Sequence, residues 1–324
     1  MMIQKKNDFA AGIALAVSAT VLWSGNYIVA RGLHQQITPV SLAFVRWLTA
    51  TLVLFPIALP QVKAQWPLLK KHTGYLAITA LLGVTLFNTF IYVAGQYSNA
   101  MNLAIIGTSA APIFVLVLAH WLLKEKAGRP QIVGTLFCVA GILLLISNGS
   151  WSRLSEFQLS LGDIWILAAA LAFALYTIQV RKKPRELSPL AFLFALFLLG
   201  TLFLLPAFAV DSRDGLTFQW STKLMLVFLY LGVGASVGAF LSWNLAIQKI
   251  GSARTSLFSN LIPVFSTIEA VLILKEESSW VVVVSMLLIL FGLLLANYRQ
   301  LKQGMRREVH SRQTTVHSRG RSDK

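Results

Sequence analysis

Two ionisable side chains stand inside long apolar runs, Arg46 and Glu269. A charge in lipid is costly, so such residues turn toward protein or a water-filled path and mark ion pairing or proton relay. At about 1.5 Å per helical residue, both lie about 10 Å below the same end of their runs. Their matched depth and opposite sign permit a salt bridge. Glu269 is also a candidate carrier of a coupling proton. A purely structural Arg46, snorkelling to headgroups or capping carbonyls, is equally open.

Around these charges lie polar and aromatic stripes. Thr85, Asn88, Tyr92 and Gln96 follow one another by three or four residues and share one helix face. Trp23 and Asn26 are one turn apart, and Ser109, Tyr176, Trp243, Asn244 and Asn260 stand in other runs. Rings supply contact area and amides supply directional hydrogen bonds. Trp23, Asn26, Asn88, Tyr92, Ser109, Tyr176, Trp243, Asn244 and Asn260 are therefore candidates to line a cavity for a small amphipathic solute. The same groups also suit helix-to-helix hydrogen bonds, worth about 0.6 kcal/mol each in membranes. Asn260 and Glu269 differ by about 180° on a straight helix, so one cavity takes both only if Pro263 bends the chain. Pro112 and Pro263 each free a backbone carbonyl and are the hinge candidates.

Catalytic chemistry finds no foothold. The chain has no Gly-x-x-x-x-Gly-Lys-Ser/Thr, no Gly-x-Ser-x-Gly and no His-Glu-x-x-His. Its five histidines sit at run ends and in the tail, apart from any carboxylate partner. Cys138 stands alone, so no internal disulfide forms and no metal site is built on it. We expect no cofactor, no metal and no catalytic residue. An intramembrane enzyme acting on lipids is the competing class, and it needs an acid, base or metal cluster at one depth.

The elements that must position these residues are membrane helices. Of 324 residues, 56% are hydrophobic and 12% charged, against about 25% charged in a soluble domain. A spanning helix takes about 20 apolar residues. Ten such runs occur, at 9–30, 39–59, 74–96, 99–123, 130–148, 162–181, 188–210, 223–249, 252–274 and 279–298. Gln96-Tyr97-Ser98-Asn99 reads as a tight link. The first run is too long for a cleaved leader and belongs to the fold. The net charge of +16 is distributed by side of the membrane. With the N-terminus inside, 22 of the 28 Lys and Arg fall inside, five outside, and Arg46 within a span. Positive-inside bias then puts both termini in the cytoplasm and accounts for the basicity without nucleic acid. Residues 299–324 read as a basic disordered tail against anionic headgroups. The lipid bilayer is thus one partner, a small solute another, and a proton a third candidate; oligomeric state is open.

The chain also repeats. Pro112 and Pro263 lie 151 residues apart, as do Lys124-Glu125 and Lys275-Glu276, and Gly141 and Gly292. Each copy has five spans, an odd number, so the second enters from the opposite side. The fold expected is an all-α integral membrane protein of ten transmembrane helices in two inverted repeats. They are 9–148 and 162–298, joined by an outside linker at 149–161.

Trp23-Ser24-Gly25-Asn26-Tyr27, Arg46, Pro112, Lys124-Glu125 and Gln131, Gly134 and Gly141 together resemble the EamA-type branch of the drug/metabolite transporter superfamily. The resemblance runs over residues 9–298. The second copy departs from it, with Ala174-Leu175-Tyr176 and Phe197 opposite Trp23-Ser24-Gly25 and Arg46. It implies a secondary carrier in the bacterial inner membrane with no enzymatic step. Its solute is implied to be a small organic metabolite, an amino acid or relative, commonly exported by alternating access. The implied cavity lies among the first, third, fourth, sixth, eighth and ninth spans. A proton-independent facilitator and a carrier of drugs or other metabolites are the alternatives.

Overall fold

The computed structural model describes residues 2–33, 37–97, 100–125, 128–147, 149–150, 152, 160–213, 215, 218, 220–274 and 280–298. Within these, it does not describe the side chains of 2–7, 26–33, 100–105, 108–109, 146, 267 and 270–274. The tail at 299–324, most of the linker at 149–161, Lys275-Glu276, and the side chains of Asn26 and Ser109 therefore lie outside the described residues.

Helix starts follow their capping residues. Thr38 precedes Pro39 and accepts from the Ser41 amide, opening α2 (Pro39–Ala64). Ser188 precedes Pro189 and caps Ala191 in the same way, opening α7 (Pro189–Asp211). In both, proline fills a first-turn position whose N–H needs no partner. Ser160 and Asp163 form a reciprocal capping box at the head of α6 (Leu161–Arg181). Lys124, with φ of 55°, follows the end of α4 (Ala100–Leu123). Gly251, with φ of 88°, closes α8 (Thr222–Ile250). The remaining helices are α1 (Met2–Leu33), α3 (Thr73–Tyr97), α5 (Arg129–Ser147) and α10 (Trp280–Tyr298). A six-residue helix, Trp66–Lys71, sits between α2 and α3.

Three details differ from the sequence reading. The helix α3 runs through Gln96 and Tyr97, so the link before α4 is confined to residues 98–99. The ninth run, α9, is two helices, Ser252–Leu257 and Leu261–Leu274, joined by a 3-10 turn at Phe258–Asn260. The irregular turn thus precedes Pro263, which stands in the first turn of the second piece, where proline disturbs least. Pro112 lies within a helix that continues on both sides of it. Third, α3 and α8 each carry a widened π stretch, at Leu81–Leu86 and Tyr230–Gly238.

Seven of the described helices are long and apolar enough to cross a membrane, and shorter apolar helices accompany them in α4 and α5. Large apolar side chains face outward, with Leu136 63% and Ile164 64% exposed. Water would penalise such a surface and lipid would not. The protein is an all-helical, multi-pass membrane protein among its described residues.

Close packing is set by small residues. A Cβ on Gly134 would meet the Gly292 carbonyl oxygen at 2.4 Å, and one on Gly141 the Ser285 oxygen at 2.8 Å, so α5 and α10 touch backbone to backbone. The helices α2 and α7 clasp each other at both ends. Asp211, closing α7, accepts from Thr38 and Ser41 at the head of α2. Gln61, near the end of α2, accepts from Ser188 at the head of α7. Between the two clasps Thr51 and Thr201 share a hydrogen bond of 3.2 Å.

Candidate functional site

Arg46 is the eighth residue of α2 and is 1% exposed. Its Nε donates to Ser236 Oγ at 2.8 Å, and Nη2 donates to the Ala235 carbonyl at 3.0 Å. Its Nη1 donates to Asn88 Oδ1 at 3.3 Å and to the Tyr92 hydroxyl at 3.2 Å. Trp23 Nε1 donates to the same Ala235 carbonyl at 2.9 Å. Ala235 and Ser236 belong to the π stretch of α8, where the widened turn lets backbone oxygen be shared with side chains. A buried guanidinium persists only when its donors are occupied, and oxygens of α3 and α8 do that.

The guanidinium borders a cavity of about 70 Å³, room for several waters. Its polar lining is Arg46, Asn88, Tyr92 and Ser259; its walls include Trp23, Phe87, Ile91, Ile166, Phe173 and Ile262. These residues come from α1, α2, α3, α4, α6, α8 and α9. Most sit near the α2 head, the α3 end and the α6 head, which fixes the cavity toward one end of the bundle. A cation with an amide and two hydroxyls in a mostly apolar box suits a solute with a small polar or anionic group and an apolar body.

Below the cavity the rings close ranks. Trp23 meets Phe173, Phe240 and Trp243 at centroid separations of 5.9, 5.5 and 5.0 Å. Tyr176 lies in the space a Cβ on Gly83 would need, 2.2 Å away, and its hydroxyl donates to Asn244 Oδ1 at 2.6 Å. Beyond this layer, the other end of the bundle is stitched together. Glu125, just past α4, accepts from Arg181 Nε of α6 at 3.1 Å and from Ser252 Oγ of α9 at 3.0 Å. Arg181 also donates to the carbonyls of Ile247 and Gln248 in α8. A second cavity, of about 410 Å³, opens here between the α6–α7 loop and the end of α8, beside Asn244 and Gln248. Burial pushes the Lys183 ammonium of that loop down from the ordinary lysine range, against the upward pull of Glu186.

Trp23, Arg46, Asn88 and Tyr92 are thus brought together at the central cavity. Tyr176, Trp243 and Asn244 form the layer beneath it instead of its lining. Asn260, 1% exposed in the 3-10 turn, is not among the lining residues, whereas its neighbours Ser259 and Ile262 are. Glu269 lies against α1, where its Oε1 is 2.6 Å from Ser24 Oγ; its described contact is with Ser24 and not Arg46. Ser266, one turn earlier, donates to the Ser24 carbonyl at 3.1 Å. Most wall residues escaped sequence reasoning because they are plain apolar residues, identical in type to lipid-facing ones. Tyr230 escaped as well: its hydroxyl occupies the space beside Gly25, at 2.5 Å from where a Cβ would stand. The Gly25 in the helix-one motif was its available signal.

The EamA-like transporter family matches the chain twice, over residues 10–147 and 160–298. An "Uncharacterized transporter" of Archaeoglobus fulgidus is 26% identical over 283 residues, 86% of this chain and 95% of that protein. "Uncharacterized transporter YetK" of Bacillus subtilis is 28% identical over 278 residues, covering 85% and 83%. "Uncharacterized inner membrane transporter YhbE" of Escherichia coli is 25% identical over 268 residues, covering 81% and 80%. A crystal structure that spans 90% of this chain and 99% of its own superimposes with a TM-score of 0.73 at 18% identity, a likeness of fold.

Proposed function

The chain belongs to the EamA-like transporter family, and from that membership and the cavity at Arg46 we propose a secondary carrier of small organic metabolites, an amino acid or relative, working by alternating access. The direction is export across the cytoplasmic membrane, with both termini inside. The observation that carries this reading is the cavity itself: it lies among helices of both family matches and stops at an aromatic layer, with a polar clasp beyond. A site separated from one end by a ring layer and a breakable clasp suits a carrier that has to seal one side at each half-cycle.

Ten spans in two inverted halves, 9–148 and 162–298, fit the packing. The Gly134–Gly292 contact has its counterpart, 151 residues on, in Ser285 against Gly141. Cys138 and Ile289, also 151 apart, touch each other across the same crossing. The caps Thr38 and Ser188 serve partners on opposite helices. Both π stretches fall at repeat-equivalent places. Such reciprocal contacts follow from a two-fold relation between halves.

The test is counterflow in reconstituted vesicles preloaded with unlabelled amino acids. Accumulation of labelled solute supports the carrier, and chemical conversion without movement sinks it. A comparison of metabolites inside and outside cells lacking or overproducing the protein then reads the solute and direction.

A further inference from the structure

Ser24 Oγ lies 2.6 Å from the Val21 carbonyl oxygen and 2.6 Å from Glu269 Oε1. A serine hydroxyl has one hydrogen; a carbonyl oxygen and an ionised carboxylate have none. Oxygens this close are held by a hydrogen between them, and one hydrogen does not serve two such contacts at full strength. A protonated Glu269 carboxyl supplies a second hydrogen and gives each contact its own. We propose that Glu269 is a proton-binding site of this carrier: in this conformation it holds a proton and donates it to Ser24, which donates in turn to Val21. This rests on the carrier reading above and names the coupled ion.

The surroundings agree. Glu269 Oε2 is buried with no hydrogen-bond partner, a position that a neutral acid tolerates and an anion does not. Each group facing it is committed elsewhere. From α8, the Tyr230 hydroxyl donates to the Leu22 carbonyl at 2.8 Å. From α2, Arg46 is engaged by Ser236, Asn88, Tyr92 and Ala235. From α1, Gly25 brings only backbone, and a Cβ there would stand 3.8 Å from Oε2. The first half of α4 contains no ionisable residue. Release is a two-part switch. The carboxyl O–H breaks and its proton passes to water; Ser24 then turns its own hydrogen from Val21 to Oε1, stabilising the new anion. Val21 keeps its place in the helix ladder. Ser24 shares α1 with Trp23, a wall of the cavity, so α1 carries both a solute-facing ring and the switch.

Infrared spectroscopy of the purified protein in lipid nanodiscs at neutral pH tests this without any solute. The expected spectrum has a carboxylic-acid C=O band that moves in D2O, disappears in Glu269→Gln and shifts in frequency in Ser24→Ala. Superimposable carboxylic-acid bands in the wild type and a folded Glu269→Gln would overturn it. If Glu269→Gln does not fold, an unmoved band in Ser24→Ala overturns it equally. Counterflow on the same preparation is read separately, so an absent band with intact counterflow strikes this inference alone. Uptake driven by a pH gradient is expected to vanish in Glu269→Gln while exchange persists. Undiminished gradient-driven uptake in that variant excludes Glu269 as the coupling site.

Discussion

The two ends of the bundle use polar groups in opposite ways. Toward the α2 head, polar side chains are buried and collected around one cation, leaving a cavity beside it. Toward the α4 end, the partly exposed Glu125 and Arg181 tie four helices together beside the second cavity. The same helices, α4, α6, α8 and α9, line the cavity toward one end and are joined by hydrogen bonds at the other. Buried hydrogen bonds to a charge are worth far more than exposed ones, so the cavity end is chemically fixed and the clasped end is reversible. A carrier that has to open there needs a clasp that breaks easily.

Breaking the cavity end has the largest expected effect. Arg46→Met keeps length but removes the charge and its donors, leaving Asn88 Oδ1 and Ser236 Oγ without their partner, while the Ala235 carbonyl keeps only Trp23. Each neutral acceptor left buried and unsatisfied costs about 1–3 kcal/mol. We expect counterflow to fall to background and the melting temperature to drop. Arg46→Lys is expected to rescue neither, since a single ammonium does not reach oxygens on both α3 and α8. Full activity in Arg46→Lys would remove Arg46 from the solute site.

Gly134→Ala ranks next and probes packing away from the cavity. Its Cβ would sit 2.4 Å from a backbone oxygen of Gly292, which moves only if α5 and α10 separate. Overpacking of this kind costs about 1–3 kcal/mol. The expected signature is a lower melting temperature with the apparent solute affinity unchanged.

How much of this was readable in the residues follows from what each kind of signal encodes. Helix heads were legible because Thr38-Pro39 and Ser188-Pro189 are local signals, fixed by backbone chemistry alone. Arg46, Asn88 and Tyr92 were legible as a group because charge and amide are costly in lipid wherever they point. The lining by Ile91, Ile166 and Ile262 was not, because an isoleucine facing lipid and one facing a cavity leave the same letter. The π stretches were also hidden. One extra residue per turn rotates everything that follows, so Thr85 leaves the face of Asn88 and Tyr92 and donates to the Gly200 carbonyl of α7. Periodicity drawn for a regular helix put it with them. The break in α9 falls at Phe258–Asn260, one turn before Pro263, whose missing N–H leaves the Ser259 carbonyl without its i+4 donor.

Tyr176→Phe sharpens the boundary between the two ends. It removes the hydroxyl that donates to Asn244 and leaves an amide whose Nδ2 already has no partner. One such bond is worth about 1 kcal/mol. The ring still fills the space beside Gly83, so the seal itself survives. We expect a modest fall in melting temperature and unchanged counterflow. A leak of solute in this variant would show that the hydroxyl, and not the ring, closes the path.

Glu125→Gln has the smallest expected effect on stability and the sharpest on the comparison. The Arg181 and Glu125 side chains are 37% and 26% exposed, so the pair contributes about 0.5 kcal/mol after screening. A glutamine still accepts from Ser252, which keeps α4 and α9 in touch. Its neutral amide holds Arg181 more weakly, so α6 and α8 are freer to part from α4. In a Cys138→Ala background, a cysteine placed at Ala170 in the cavity wall reads the result. Maleimide added from the α4-end side should label it about twofold faster with Glu125→Gln, and added from the cavity side, more slowly. Equal labelling from both sides would mean that the clasp only fastens the fold, and that the aromatic layer alone separates the two ends.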